Sequence, residues 1–469
     1  MRFLEQIIFL FSSFIISVTP TSSYVEGVVG QPVSFFPHKA TNQQDRTVSQ
    51  LIYRGLFKYD IYGTLKPDLA SSWTISSDGL TYTIKIKEGQ TWSDGSPVTS
   101  DDLIYTAFKS PSLREIATDK IDDLTIRYTL PNKYAPFLSL LTEGVMQTKS
   151  EESFSGLTPV SNGEFRVLRI KRSGPIIKEV ILYNTNKEAN IKKLVFRYYG
   201  SEDELETAAK LGEIDAFISS KELSLDNFNK YTFPVQGVYY ALFFNLRDEK
   251  FSDLMLRQNL RSALDLEKIL PAFGILASGP ISRSLFTDKE IKSNAFKEDL
   301  ALNLEQNLVL TIPDTENHEK LANIIKQAWK EKLNIDTQIK KVATDKISKE
   351  VIEPRKFEIL LYGQEVSRDP DRYAVWHSTQ VEYPGLNISG FKQVRADRSL
   401  EEGRNVTDNA ERFIHYKEFQ KVVDEQVPAI FLYHPYVKYY ISKSISGFGE
   451  KYTFSLKDRF LDFNNLTIL

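Results

Sequence analysis

Residues 307–312 read Asn-Leu-Val-Leu-Thr-Ile and residues 357–362 read Phe-Glu-Ile-Leu-Leu-Tyr, and these two runs bound the part of the chain that decides the fold. Both runs are short, apolar and rich in branched side chains, which predicts buried strands. Between them, residues 318–333 place apolar side chains on one helical face, residues 335–339 predict a third strand, and residues 344–351 predict a short helix. The order strand, helix, strand, helix, strand is typical of a parallel α/β layer.

The carboxyl edge of this layer is the expected place for a ligand, because ligands of parallel α/β sheets bind beyond the carboxyl ends of the strands. The final predicted strand ends at Tyr362, so the candidate ligand-binding residues here are Tyr362, Gly363, Gln364, Glu365 and Val366. The carboxylate of Glu365 either receives a cationic group or belongs to a solvated loop, and both interpretations stay open.

A strand followed by a capped helix is predicted in the first third of the chain. Residues 81–87 alternate apolar and polar side chains, as a half-buried strand does. Thr99 or Ser100 predicts a helix N-cap, and Asp101 and Asp102 follow in the first turn, at the positive end of the helix dipole. Because adjacent helical residues point about 100° apart, capping explains the acidic pair better than an acid and base that converge on one bond.

Several aromatic and acidic residues are better explained by packing and turns than by chemistry. Trp73, Trp329 and Trp376 are expected in the core. Asp369 and Asp371 flank a proline just after a predicted strand, so we expect turn formation and helix entry there.

The composition limits the partners and the chemistry. The 469 residues carry 59 Lys and Arg against 62 Asp and Glu, a net charge of −3, whereas a nucleic-acid surface needs an excess of basic side chains. The absence of cysteine excludes disulfides, thiolate metal sites, iron–sulfur clusters and a cysteine nucleophile. Five scattered His residues argue against a histidine metal cluster, so no cofactor and no metal are expected. The 30 Phe and 23 Tyr fill cores or line a pocket for an organic ligand.

No sequence signature of catalysis is present. The chain has no G-x-S-x-G elbow, no P-loop, no G-x-G-x-x-G and no H-E-x-x-H. We therefore expect a protein that is not an enzyme, and a secreted hydrolase with paired carboxylates is the remote alternative.

The N-terminus has the character of an export signal. Residues 6–25 carry no charged side chain, and residues 7–18 are almost wholly apolar. We interpret residues 1–26 as a signal peptide or an uncleaved signal anchor, and the alternative is a buried core helix. This segment is then the only expected contact with a membrane, because no second segment is long and apolar enough to span one.

Four motifs in fixed order carry a family resemblance. They are Leu-Ala-Ser-Ser-Trp at 69–73, Asp-Gly-Leu-Thr-Tyr at 78–82, Trp-Ser-Asp-Gly at 92–95 and Thr-Ser-Asp-Asp at 99–102. Their order and spacing resemble the extracellular solute-binding proteins of family 5, the oligopeptide- and dipeptide-binding proteins of ABC importers. Further matches, at 159–165, 211–215, 239–245 and 428–433, extend the resemblance over roughly residues 27 to 450.

The resemblance implies an α/β, two-lobed periplasmic-binding-protein-like fold of the class II type, with an extra α+β domain inserted in the first lobe. The implied boundaries are residues 27–245 for lobe I, with the insertion at about 44–160, residues 246–434 for lobe II, and residues 435–469 for the return to lobe I. Two crossover strands, near Asn245 and near residues 433–436, would form the hinge.

The implied function is that of an exported protein that captures peptides or peptide-like solutes between the lobes and delivers them to the permease subunits of an ABC importer. The protein would be a monomer in the periplasm or on the outer face of the cytoplasmic membrane. The same fold could instead bind an oligosaccharide or a metal chelate, and an adhesion or chaperone-like role is a further alternative.

The ligand positions follow from the resemblance residue by residue. Residues 37–39 match a Pro-His-Lys motif after which the chain lines the cleft, and the strand ends and crossovers supply the other positions. The expected ligand-binding residues are Thr41, Asn42, Gln43, Asn245, Tyr362, Gly363, Gln364, Glu365, Val366, Tyr433 and Tyr436. Val366 stands where peptide-binding members commonly carry an aspartate for the peptide amino group. With no cysteine, a lipoprotein anchor is not expected.

Overall fold

The structure is a computed structural model that describes residues 22–153, 155–281, 295–449 and 451–469. Within these residues the strands are β1 (Ser23–Val29), β2 (Phe57–Tyr59), β3 (Leu65–Pro67), β4 (Ala70–Ile75), β5 (Thr81–Ile86), β6 (Ala117–Asp122), β7 (Thr125–Thr129), β8 (Phe165–Ser173), β9 (Ile176–Asn184), β10 (Lys193–Tyr199), β11 (Ala216–Ser219), β12 (Phe228–Pro234), β13 (Val238–Phe244), β14 (Gly274–Leu276), β15 (Asn307–Pro313), β16 (Asp336–Val342), β17 (Ile359–Glu365), β18 (Ala429–Ser442), β19 (Ile445–Ser446) and β20 (Thr467–Ile468). The helices are α1 (Gln43–Ile52), α2 (Ser100–Lys109), α3 (Phe137–Leu140), α4 (Ser150–Ser153), α5 (Glu202–Lys210), α6 (Leu254–Ser262), α7 (Leu266–Ile269), α8 (Glu316–Leu333), α9 (Tyr373–Trp376), α10 (Val394–Asn405) and α11 (Asn409–Gln426).

One group of strands forms the core of lobe I. β1 pairs in parallel with β10 and β11, and β9 and β8 extend the sheet beyond β10 in antiparallel order. Alternate side chains of these strands, such as Tyr24 and Phe196, are buried in the core. Since β1, β10 and β11 are parallel, their carboxyl ends lie at one edge of lobe I.

A smaller antiparallel sheet, in the order β4, β5, β7, β6, and helix α2 form the inserted domain of lobe I. The predicted strand at residues 81–87 is confirmed as β5, and the predicted cap is confirmed because Thr99 and Asp102 form a capping box at the start of α2. The buried Asp102 carboxylate also accepts hydrogen bonds from the Trp92 indole N–H at 3.0 Å and the Thr148 backbone N–H at 2.8 Å. Asp102 is therefore a structural residue.

Trp73 is an exception to the predicted core positions. Its side chain is 39% exposed, and it packs edge-on against Phe57 at a centroid distance of 5.0 Å. The core prediction was wrong because β4 lies at the edge of the four-stranded sheet and every residue of β4 after Ala70 is exposed, so neither face is covered at Trp73. Trp329 and Trp376 are buried, as predicted.

The second group of strands forms the core of lobe II and confirms the parallel layer predicted from the sequence. β15 pairs in parallel with both β16 and β17, and β13 joins the other edge of β17 in antiparallel orientation. α8 connects β15 to β16 and buries Trp329, whose indole N–H donates to the Leu260 carbonyl at 2.9 Å. The short helix predicted at residues 344–351 is a single π-helical turn, Ser348–Ile352.

Two crossings connect the lobes. β12 in lobe I ends at Pro234 and β13 in lobe II begins at Val238, so the first crossing lies between these residues. The long strand β18 makes the second crossing, because its first half pairs with β13 and its second half pairs with β11 and β12. The second crossing coincides with the expected residues 433–436. The first does not lie near Asn245, because Asn245 follows the end of β13, deep in lobe II.

The predicted signal segment falls almost wholly on residues 1–21, which lie outside the described residues. Residues 22–26, the end of the expected segment, are described, and strand β1 already begins among them at Ser23. Across the described residues, no helix combines the length and the apolar character needed to cross a bilayer.

Candidate ligand-binding cleft

The two lobes face each other beside the crossings. On the lobe I side, Arg46 of α1 reaches across to Glu365 at the end of β17, and the two side chains form an ion pair at 3.1 Å. Nearby, Arg368 of lobe II pairs with Asp458 of the C-terminal segment at 2.5 Å. These contacts place the carboxyl end of β17 at the entrance of a cleft between the lobes.

The strand β17 presents an open edge to this cleft. All seven residues of β17 pair with β13, but only Ile359 and Leu360 pair with β15 on the opposite edge. In the described part of the chain, no strand pairs with that second edge from Leu361 to Glu365. Backbone groups at such an edge can bind an extended chain by strand addition.

Aromatic side chains pack over β13 and β17 at the level of Gly363. Tyr240 stacks on Tyr433, with ring centroids 5.0 Å apart and planes 12° apart, and Phe273 packs against Tyr433 at 5.8 Å. Gly363 lies directly beneath Tyr240, since a Cβ added to Gly363 would come within 2.8 Å of the tyrosine ring. The glycine is therefore required for the close approach of the Tyr240 ring to β17.

His318 completes this aromatic group and is not among the ligand-binding residues predicted from the sequence. Its ring lies 5.2 Å from that of Tyr240, and its Nδ1 is 2.6 Å from the hydroxyl of the N-cap Thr315. The buried Nε2 has no hydrogen-bond partner in the described residues, and burial lowers the pKa of His318, which favours the neutral ring at pH 7. The available signal was its position just beyond the carboxyl end of β15.

The lobe I loop that carries Thr41, Asn42 and Gln43 is held by its own hydrogen bonds. The Asn42 side chain caps α1 by accepting a hydrogen bond from the Asp45 N–H at 2.7 Å. The Gln43 amide donates to the Thr47 hydroxyl at 3.2 Å, while Thr41 is exposed. The rigid cap fixes the start of α1 opposite lobe II.

The preceding Pro-His-Lys motif anchors this loop to the inserted domain. His38 Nε2 lies 3.2 Å from Glu151, and Lys39 and Lys109 form ion pairs with the same carboxylate. Burial opposes ionisation of Glu151, but hydrogen bonds from the two lysines and the nearby His38 outweigh it and lower its pKa to about 2. Burial lowers the pKa of His38, and Lys39 and Lys109 add to this effect, which Glu151 opposes. The motif therefore positions the cleft loop.

The residues after Gly363 alternate between cleft and core. Glu365 is 69% exposed at its side chain and faces Arg46, whereas Val366 is only 9% exposed and packs in the lobe II core. The Val366 N–H donates to the Gly237 carbonyl at 2.9 Å. The position that the resemblance associates with an amine-binding aspartate thus holds a buried apolar side chain.

Tyr362 and Tyr436 are half-buried near the crossings. Burial, followed by the charge of Glu365, raises the pKa of Tyr362, and the Tyr436 N–H donates to the Phe273 carbonyl at 3.1 Å. The Gln364 side-chain amide donates to the Glu365 carbonyl at 3.0 Å.

Asn245 is not brought together with the other expected residues. In the β13–β17 ladder Val238 lies opposite Glu365 and Phe244 lies opposite Ile359, so Asn245 is about 23 Å from Glu365 at the strand rise of roughly 3.3 Å per residue. The Asn245 amide donates to the carbonyls of residues 355 and 357, at 3.1 and 2.9 Å. Its role here is to hold the far ends of the two strands.

An open strand edge, an aromatic group and facing charges lie between two lobes that two narrow crossings connect. Among the residues that the structure describes, no group of three or more His, Asp or Glu side chains is arranged to hold a metal ion.

An α/β body of two lobes, joined by two crossings and holding a cleft between them, defines a periplasmic-binding-protein-like fold. The chain belongs to the bacterial extracellular solute-binding proteins, family 5, whose family model matches residues 64–382. The oligopeptide-binding protein AppA of Bacillus subtilis is 20% identical over 481 residues, covering 90% of this chain and 88% of that protein.

Solved structures share the fold. AppA of Bacillus subtilis in complex with a nonapeptide matches with a TM-score of 0.72 at 21% identity, over 96% of this chain and 99% of that chain. The substrate-binding protein CtaP of Listeria monocytogenes matches with a TM-score of 0.80 at 22% identity, over 95% and 99%. NikZ of Campylobacter jejuni in complex with Ni(L-His) matches with a TM-score of 0.74 at 22% identity, over 96% and 100%.

Proposed function

We propose that the protein captures peptides or peptide-like solutes in the cleft and delivers them to an ABC importer. The observation that carries the proposal is the open edge of β17 from Leu361 to Glu365, directly beside the crossings. A peptide backbone added there would gain main-chain hydrogen bonds that do not depend on its sequence. The proposal is supported by the names of relatives such as the oligopeptide-binding protein AppA, whose solved complex contains a nonapeptide.

The lobes then close on the ligand about the hinge. The residues up to Pro234, with the insertion at about 44–160, and residues 435–469 act as lobe I, and residues 238–434 act as lobe II. The expected boundary at residue 245 therefore moves to the first crossing. Two crossings between packed bodies permit hinge closure, and binding energy shifts the equilibrium between open and closed forms. The closed form is what the permease subunits would recognise, and no catalytic step is required.

The protein would act outside the cytoplasm as a monomer. The segment ahead of β1, which begins at Ser23, directs export and either releases the protein or holds it at the outer face of the membrane, so the expected boundary at residue 26 moves to about residue 22. No lipid anchor on cysteine can replace this segment, because the chain has no cysteine.

A metal chelate is the second candidate ligand. The solved complex of NikZ with Ni(L-His) shares the fold, and Val366 gives the cleft no carboxylate at the position expected to bind a peptide amine. A chelate would use the aromatic group and the charged side chains rather than the strand edge.

A thermal-shift screen distinguishes these ligands. We expect peptides of two to nine residues to raise Tm and to protect the backbone amides of residues 361–365 from hydrogen exchange, while the paired residues 307–312 of lobe II serve as the internal control. A rise in Tm with maltotriose, or with nickel and histidine, and none with any peptide would overturn the peptide assignment.

A further inference from the structure

A large chamber lies behind the cleft entrance, where lobe I, the inserted domain and the C-terminal segment meet. Its volume is about 590 Å³, within the range of small-molecule sites. Five cationic side chains line it: Arg54, Lys58, Arg166, Arg368 and Lys457. Three carboxylates are found among the described lining residues, so the chamber carries an excess of positive charge.

Among the described lining residues, the cations without an ion pair are Lys457 and the exposed Arg166, because Asp68 pairs with Arg54 and Lys58 and Asp458 pairs with Arg368. Arg46 is paired with Glu365, and Arg368 is paired with Asp458. Lys457 is close enough to all four of these groups to be influenced by their charges. Nevertheless, in the part of the chain described by the structure, its ammonium group has neither an ion-pair nor a hydrogen-bond partner.

The surroundings of Lys457 are unfavourable for an isolated cation. Burial lowers the pKa of Lys457, and Arg368 and Arg46 lower it further, against the opposing effect of Asp458 and Glu365. The Lys457 side chain is partly exposed where it lines the chamber, so a carboxylate that enters the chamber can approach the ammonium group and act as its counter-ion.

A second polar group in the chamber wall also lacks a partner. Asn162 is only 9% exposed, and its side-chain oxygen accepts a hydrogen bond from the Arg54 N–H at 2.9 Å. Its side-chain nitrogen, a donor, is buried without a partner among the described residues. A buried amide nitrogen of this kind is usually satisfied, so it points to a missing acceptor.

We propose that the chamber receives a carboxylate group of the ligand, with Lys457 as its counter-ion and Asn162 as a hydrogen-bond donor. This inference rests on the proposed function, and it narrows the ligand to acidic solutes, such as peptides whose terminal or side-chain carboxylate enters the chamber. Arg368, which lines the chamber, follows the end of β17 at Glu365 by three residues, so the chamber lies close to the strand edge.

The test compares acid and amide forms of the same probes on the full chain. Titration calorimetry would use trialanine against trialaninamide and Ala-Glu-Ala against Ala-Gln-Ala, and thermal shift would use succinate against succinamide. We expect the wild type to prefer the acid form at least tenfold. We expect Lys457→Met to reduce the preference to less than threefold and Lys457→Arg to keep most of it.

The exposed Lys443 supplies the matched control, because Lys443 does not line the chamber, so Lys443→Met removes the same charge elsewhere and should leave the preference unchanged. Equal binding of acid and amide forms by the wild type, or a full preference in Lys457→Met, overturns the inference but leaves peptide capture intact. If no peptide binds in either form, the peptide proposal fails, and the comparison of succinate with succinamide alone decides the inference. No preference for succinate overturns it.

Discussion

Gly363→Ala tests whether the aromatic group beside β17 shapes the cleft. In the structure an added Cβ would lie 2.8, 3.0 and 3.2 Å from three atoms of the Tyr240 ring, and the ring cannot yield freely because it already stacks on Tyr433. Ordinary carbon contacts need about 3.5 to 4.0 Å, so the ring must move by nearly 1 Å.

The magnitude follows from two opposing effects. Overpacking of a packed group costs about 1–3 kcal/mol, and weakening an aromatic stack costs about 0.5–1.5 kcal/mol more. Against this, Gly363 does not have a left-handed backbone, so alanine fits the main-chain conformation. Alanine also reduces the conformational entropy of the unfolded chain, which stabilises the folded protein by about 0.4–1 kcal/mol. We expect a net loss of about 2 kcal/mol in the free energy of unfolding.

Urea unfolding measures the loss of stability, and calorimetric titration with a peptide ligand measures the change in affinity. If the displaced ring narrows the cleft, affinity should fall at least tenfold, which corresponds to about 1.4 kcal/mol. Gly449→Ala is the control, because its added Cβ meets no atom within 4 Å. In a Tyr240→Leu background the same substitution should cost less than about 0.5 kcal/mol, since the ring that it strikes is gone. Wild-type stability and affinity in Gly363→Ala, or an equal cost in both backgrounds, would refute the reasoning.

Three further substitutions test other contacts. Glu365→Gln should weaken binding of the cationic peptide Lys-Ala-Ala by roughly threefold to fivefold by calorimetry, since an exposed charge pair contributes up to about 1 kcal/mol; unchanged affinity would remove Glu365 from the site. Because the folded-state pKa of Glu151, about 2, lies below its usual value of 4.5, this carboxylate stabilises the fold above about pH 4.5, and the stabilisation is lost as the pH falls towards 2. Glu151→Gln should therefore flatten the decline of Tm with acidification, and a parallel decline in both proteins would contradict this. Asp102→Ala leaves the Trp92 and Thr148 N–H groups without their acceptor and should lower the free energy of unfolding by about 3 kcal/mol in urea titration, whereas a loss below about 1 kcal/mol would show that water replaces it.

The elements that could be predicted from the sequence are those that neighbouring residues determine. The apolar runs of β15 and β17, the face of α8 and the cap at Thr99 each depend on a few residues in succession, and the structure contains all of them. Trp73 was predicted wrongly because its exposure depends on which strand lies at the edge of a sheet, and strand order is not encoded locally.

The candidate cleft shows the same division. The carboxyl end of β17 could be located from the sequence, because a strand end is a local feature, and Glu365 does lie between the lobes. The displacement of Asn245 follows from the antiparallel register of β13 against β17, which a sequence pattern does not fix. Lys457 could not be selected at all, since its surroundings come from α1, from the loop after β17 and from the C-terminal segment.

The C-terminal segment connects both lobes through two adjacent residues. Arg459 donates to the buried carboxylate of Glu26 in β1, and the same carboxylate accepts a hydrogen bond from the Tyr439 hydroxyl at 2.7 Å. Arg459 is therefore fixed in the core of lobe I. Its neighbour Asp458 is 1% exposed and binds Arg368 of lobe II. A rotation of lobe II away from lobe I would therefore have to break the contact at Asp458, because the contact at Arg459 keeps the segment in place. Arg368 belongs to lobe II and is also one of the charged groups around Lys457. A movement of lobe II therefore changes the charge balance around Lys457.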